Sequence, residues 1–318
     1  MELKELIEHY QPEYVKRFAE RETACDCLAC RDAQPGWPRV SLRLKNQQRE
    51  SLDMACETAA REIVLNPEAF ILYTSQGEVQ GDDVLSSWLE TLNQQCINLA
   101  IHPALQQEER LYAMGVLLSK AQQYRDNGES DPALLVSMGE QLGSLAEQGV
   151  LAQQLTMLPE IIDNPLAALK EMGAIRLNLN LPMAEKMAMS LKLSELAIMS
   201  PSRLLEHLHA LKARWQAIAL FHEQPSILNN ALIYPLYHTI FPGVDCDNYG
   251  EAFLNLARQF FQLKMLCALY CSDTAQLSAE EAAMLISALA GWQQKNPSPA
   301  NVGNTADYSL LCGLSLLR

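Results

Sequence analysis

Residues 200–218 read SPSRLLEHLHALKARWQAI, and in this stretch Leu204, Leu208, Leu211, Trp215 and Ile218 are spaced by 4, 3, 4 and 3. Positions three or four apart share one face of an α-helix, so the spacing predicts a helix with a single buried stripe. Ser200 is placed to cap it, and Pro201 stands at the first helical position, where a missing N–H is harmless. The same alternation recurs in Phe253, Leu256, Phe260, Leu263, Cys267 and Tyr270. A third helix begins at Ser278, which forms a capping-box pattern with Glu281 ahead of the apolar Met284, Leu285, Ala288, Leu289 and Trp292. Asn296 and Pro297 end it.

Working outward, helical text continues toward the N-terminus at 132–157, 106–124, 84–98, 50–65 and 12–21. Asp126-Asn127-Gly128 is a turn signal between two of these helices, which should pack as an antiparallel hairpin. A polar turn at 75–83 separates two more. No run shows the sustained period-2 alternation of strands, and no repeat of 20 to 50 residues is visible. The expected fold is therefore all-α, a multi-helix bundle with an irregular N-terminal cysteine-containing loop. It divides into an N-terminal segment, 1–45, and a helical body, 46–318, which can split into two packed subdomains near 175–200.

The chain has 318 residues, with 24 Lys+Arg against 38 Asp+Glu and a formal net charge of −14. Binding to nucleic-acid phosphates needs a basic footprint that this sequence lacks, so no nucleic-acid partner is expected. A partner presenting lysines suits the charge. At 49% hydrophobic residues, wholesale disorder is excluded. The first ten residues carry no basic n-region, and the longest apolar stretch, 282–292, is about half the ~20 residues that a membrane span requires. The expectation is a cytoplasmic protein with no membrane association. Nine cysteines, an odd number without an export signal, argue against a disulfide framework.

The chemistry starts from absences. The glycines of Met138-Gly139 and Leu142-Gly143 lie in helical text and follow no strand, so no nucleotide-cradling loop is seen, and no HExxH, GxSxG or kinase signature occurs. The most pointed feature is Cys25-Asp26-Cys27-Leu28-Ala29-Cys30 in the irregular segment 23–40. Such short spacings let neighbouring thiolates turn to one side and converge on a metal or an iron–sulfur cluster, which requires a fourth ligand. Cys56 is the nearest candidate, and Cys96 is the next. The competing reading is three unligated thiols. Cys267 and Cys271, four apart on one helix, continue its apolar stripe and are read as core. His207 and His209 point to different faces and cannot share a metal. Tyr234, Tyr237 and His238 fall within one turn; they could line a polar pocket for an amine, although ordinary packing with satisfied hydroxyls is the preferred reading.

Several stretches, taken in order, carry a resemblance. Gln11-Pro12-Glu13-Tyr14-Val15-Lys16-Arg17-Phe18 precedes the cysteine cluster; Trp37-Pro38-Arg39-Val40 and residues 51–61, SLDMACETAAR, follow it. Glu109-Arg110-Leu111 with Met114-Gly115, the stretch from Leu232-Ile233-Tyr234 to Phe241-Pro242-Gly243, and residues 261–267, FQLKMLC, complete the series. In order and coverage these resemble the flagellin lysine-N-methylase family, with a shortened N-terminal cysteine-rich region, since only residues 31–36 separate Cys30 from Trp37. The resemblance implies S-adenosylmethionine-dependent methyl transfer to lysine side chains of flagellin, with an iron–sulfur cluster in the cysteine region. Cys25, Cys27 and Cys30 fall in that region, and Cys56 falls on the family's helix-start cysteine. The shortened region and the missing donor loop motivate an alternative, a catalytically inactive helical relative that binds flagellin or another partner.

Overall fold

The computed structural model describes residues 6–21, 25–31, 33–78, 81–272, 276–297 and 304–318. The three periodic stretches are helices, Pro201–Gln216, Tyr249–Tyr270 and Ala279–Lys295. Leu204, Leu208, Leu211 and Trp215 form the buried stripe of the first, and Ile218 is buried just beyond its end. Ser200 occupies the N-cap position, but its hydroxyl lies 3.3 Å from Ser202 Oγ and makes no cap bond. The Ser278–Glu281 capping box forms with both of its reciprocal bonds.

Tyr249–Tyr270 is the axis of the bundle and is buried on nearly every side. It packs against Gln107–Asp126, Pro201–Gln216, Ala279–Lys295 and Ala306–Ser315. Two glycines make this approach close. A Cβ on Gly115 would come within 2.9 Å of the Phe253 ring and one on Gly313 within 2.7 Å, so Phe253 fills the space that both side chains leave. The helix expected at 132–157 is two, Pro132–Glu147 and Val150–Met157, because Gly149 adopts φ 70° between them. Gln107–Asp126 packs on the first of these, as the turn at Asp126-Asn127-Gly128 requires.

The helical bundle also carries a sheet that the sequence patterning does not announce. Strands β1 (Leu6–Pro12), β2 (Arg39–Arg43), β3 (Gln47–Leu52) and β4 (Leu72–Glu78) form one sheet in the order β2-β3-β1-β4. β1 runs parallel to β3, with Tyr10 opposite Arg49, and antiparallel to β4, with Tyr10 opposite Thr74. β2 runs antiparallel to β3. Residues 50–52 are therefore strand rather than the start of a helix, which runs over Glu57–Val64, and 75–78 are strand rather than turn. The helix expected at 12–21 spans Glu13–Ala19.

Period-2 alternation is missing because the sheet has no continuous apolar face. β4 is exposed along most of its length, while β3 buries Gln47, Gln48 and Ser51 together with Leu52. The sheet is fastened to the bundle by polar contacts: Tyr237 of helix Ser226–His238 donates to the Glu50 carbonyl at 3.2 Å, and Arg49 donates to Asn93 at 3.0 Å. Among the described residues, no helix is long and apolar enough to cross a membrane.

Candidate metal centre and adjoining pocket

Two short turns bring the N-terminal cysteines together. The Cys27 carbonyl accepts hydrogen bonds from the N–H groups of Cys30, at 2.9 Å, and Arg31, at 3.2 Å, which opens the short helix Leu28–Arg31 and turns both thiols to one side. After β3, the Asp53 carbonyl accepts from the Cys56 N–H at 3.1 Å, and Cys56 becomes the N-cap of Glu57–Val64. Its Sγ there accepts from the Ala59 N–H at 3.4 Å. A sulfur at this position faces the positive end of the helix dipole, a pull that the neighbouring Cys27 and burial outweigh at Cys56.

Cys25, Cys27, Cys30 and Cys56 converge. Cys56 Sγ lies 3.7 Å from Cys25 Sγ, 3.9 Å from Cys27 Sγ and 3.7 Å from Cys30 Sγ, and all four sulfurs lie within 4.8 Å of one another. Cys56 is fully buried and the other three are half-buried. Thr58 Oγ1 stands 3.0 Å from Cys25 Sγ. Cys96, the other candidate for a fourth ligand, is buried in helix Ser87–Ala100 and lies outside this group.

Cys27, Cys30 and Cys56 do not ionise alike. Hydrogen bonding with Cys56, helped by the N–H groups of Cys30 and Glu57, brings the Cys27 thiol down to about 4 against the cost of its burial. Burial and then the neighbouring thiols push Cys30 up to about 12, and the hydrogen bond to Cys27 followed by burial pushes Cys56 up as well. One thiolate is thus stabilised by the protons of its neighbours, and further negative charge in the same space calls for a cation. The set could hold a metal ion. Cys267 and Cys271 are buried in the apolar core, as their spacing suggests. His207 is half-buried and His209 exposed.

The turn that positions Cys56 also borders a cavity of about 830 Å³, lined in part by Asp53, Glu171, Tyr234, His238, Gln262 and Trp292. His238 Nδ1 lies 2.8 Å from Ser51 Oγ, which in turn lies 2.8 Å from the Tyr14 hydroxyl. The imidazole stacks on Tyr234 with ring centroids 4.8 Å apart. Tyr234 donates to the Leu52 carbonyl at 2.9 Å and accepts from the Met54 N–H at 3.2 Å. Burial holds His238 below the ordinary histidine value and raises the Tyr234 phenol. The imidazole is therefore neutral near pH 7.

Of the three residues read together in the sequence, Tyr234 and His238 line this cavity, while Tyr237 turns to the sheet, with the Arg49 guanidinium 5.4 Å from its ring centre. Asp53 joins the two sites. Its Oδ2 accepts from Trp37 Nε1 at 3.1 Å and Gln294 Nε2 at 2.8 Å, and its Oδ1 accepts from the Ala55 N–H at 2.9 Å. Sequence reasoning did not single out Ser51 or Asp53, although both lie in the quoted SLDMAC stretch, nor Gln262, which accepts from Gln293 at 2.9 Å.

A family model described as the FliB lysine N-methylase C-terminal domain matches residues 93–301, about two thirds of the chain. No curated protein and no solved structure matches.

Proposed function

The chain belongs to the FliB lysine N-methylase family, and from that membership we propose that it transfers methyl groups from S-adenosylmethionine to lysine side chains of flagellin, in the cavity bounded by Asp53, Tyr234, His238 and Trp292. The observation that carries this reading is His238, a neutral imidazole in a cavity wall whose Nδ1 is held by Ser51 at 2.8 Å.

A lysine ammonium has no lone pair and cannot attack a methyl group until it loses a proton. Entry into a largely apolar cavity lowers the lysine pKa, because burial disfavours the charged form. In the tautomer that donates Nδ1–H to Ser51, His238 keeps a lone pair at Nε2 and takes the lysine proton there. Stacking on Tyr234 fixes the plane of the ring, and the bond to Ser51 fixes its rotation. The freed amine then forms an N–C bond as the methyl donor's S–C bond breaks, and the bonding pair stays on sulfur. His238 passes its proton to solvent.

The donor supplies a methyl group on a positively charged sulfur. A cavity of about 830 Å³ accommodates a ligand of this size together with a lysine side chain. Trp292 and Tyr234 would offer aromatic faces to the sulfonium and the adenine, and the Asp53 carboxylate would face positive charge. The net charge of −14 favours approach of a lysine-bearing protein. The iron–sulfur cluster implied by the resemblance takes no part in these steps.

The test is to incubate the purified full-length protein with flagellin and a donor carrying an isotopically labelled methyl group, then map modified residues by mass spectrometry. Label on flagellin lysines is expected. Flagellin that is bound but never labelled would leave a binding relative in place of an enzyme.

A further inference from the structure

The four thiols sit too close together for an iron–sulfur core. Four thiolates around one ion, each ~2.3 Å from the metal, form a tetrahedron with edges of about 3.8 Å. The three contacts of Cys56, at 3.7, 3.9 and 3.7 Å, have that length. In an iron–sulfur cluster the cysteines are distributed over different irons, so sulfurs on opposite sides are separated by the core and stand roughly 6 Å apart. No pair among Cys25, Cys27, Cys30 and Cys56 reaches such a separation, since all lie within 4.8 Å.

We propose that these four cysteines bind a single metal ion in a closed tetrahedral site, with Zn²⁺ the ion best suited to four thiolates, in place of the cluster that the family resemblance implies. On binding, the thiols release their protons to solvent and four metal–sulfur bonds form, with no change of oxidation state. The surroundings suit such a site: the Ala59 N–H points at Cys56 Sγ at 3.4 Å, and Thr58 Oγ1 lies 3.0 Å from Cys25 Sγ. These are the contacts that orient and support thiolate ligands. A closed shell leaves no position for substrate. The ion's work is to fasten the 25–31 loop to the first turn of Glu57–Val64, beside the Asp53 corner of the cavity.

The proposal rests on sulfur geometry and stands apart from the methyl-transfer reading. Full-length protein purified without oxygen and under reducing conditions is assayed for zinc, iron and acid-labile sulfide. The expected result is one zinc, or one iron, per chain without labile sulfide. X-ray absorption should show four sulfur neighbours at ~2.3 Å and no metal–metal vector. Replacement by Co²⁺ should give the visible bands of a tetrahedral thiolate site. Two or more irons with matching sulfide would overturn the proposal, as would wild-type protein that takes up neither Zn²⁺ nor Co²⁺. Cys27→Ser is expected to lose bound zinc while Cys96→Ser keeps it. Because Cys27→Ser can also impair folding, chelator competition on the wild-type chain supplies the affinity independently. A chain that holds one zinc yet methylates nothing would remove the proposed activity and leave the metal site standing.

Discussion

Ser51 Oγ lies 2.8 Å from His238 Nδ1 although 187 positions of sequence separate the two residues. Ser51 belongs to β3 and His238 ends helix Ser226–His238, so the sheet supplies the hydroxyl that aims an imidazole carried by the bundle. His238→Asn should lower the rate of methyl transfer by about 100-fold or more, the usual range for a lost general base. Ser51→Ala should lower it less and shift the pH profile, since the ring stays and only its orientation loosens. Equal rates for wild type and His238→Asn between pH 6 and 8 would remove the residue from the reaction.

Stability should depend on pH through two histidines. Burial lowers both His207 and His238 below their ordinary 6.5 in the folded chain. Between the folded and unfolded values the unfolded chain binds more protons, so stability is level above about pH 6.5 and falls as pH drops below it. Urea midpoints at pH 7.5 and 5.5 measure this, and the drop should be smaller in His238→Asn. A midpoint that rises on acidification would reverse the sign and contradict the buried-neutral assignment.

Removal of the proposed metal should loosen the N-terminal part first. Extended treatment with a strong chelator is expected to lower the melting temperature by about 5 °C or more, because a metal bound only by the folded state adds its binding free energy to folding. Limited proteolysis should then cut within residues 25–31. Identical melting curves with and without chelator, on protein shown to have lost its metal, would deny the ion a structural role.

Phe253 should be among the most costly side chains to truncate. It is fully buried in the central helix and fills the gap that Gly115 and Gly313 leave. Phe253→Ala should cost about 3–5 kcal/mol, and Gly313→Ala about 1–3 kcal/mol by overpacking, both read from denaturant midpoints. A loss under 1 kcal/mol for the first would mean that the neighbouring helices collapse into the space.

The bundle is legible in the sequence because its helices bury stripes: the spacing from Leu204 to Trp215 and the Ser278–Glu281 box become the helix and cap that they spell. The sheet is not legible, because β3 buries glutamines and a serine beside its leucine and β4 stays largely exposed, so neither shows alternation. The convergence of Cys25, Cys27 and Cys30 follows from local spacing. The contribution of Cys56 depends on the tertiary turn at Asp53, and in the sequence only its nearness along the chain points to it. Ser51 and Asp53 carried no signal of their own, since both fall within 50–65, which the patterning reads as helix, and a serine or an aspartate there marks no site. Their partners, His238, Trp37 and Gln294, come from distant segments.

The position of Asp53 bears on how the protein can be cut. The family match begins at residue 93, within helix Ser87–Ala100, while Asp53 and Met54 line the cavity from outside that span. A fragment trimmed to the matched residues would begin inside a helix, lose the part of the cavity wall that Asp53 and Met54 supply and leave His238 without its serine. The stretch recognised by sequence and the stretch that builds the cavity wall are thus different lengths of chain, and Ser51, Asp53 and Met54 belong only to the second.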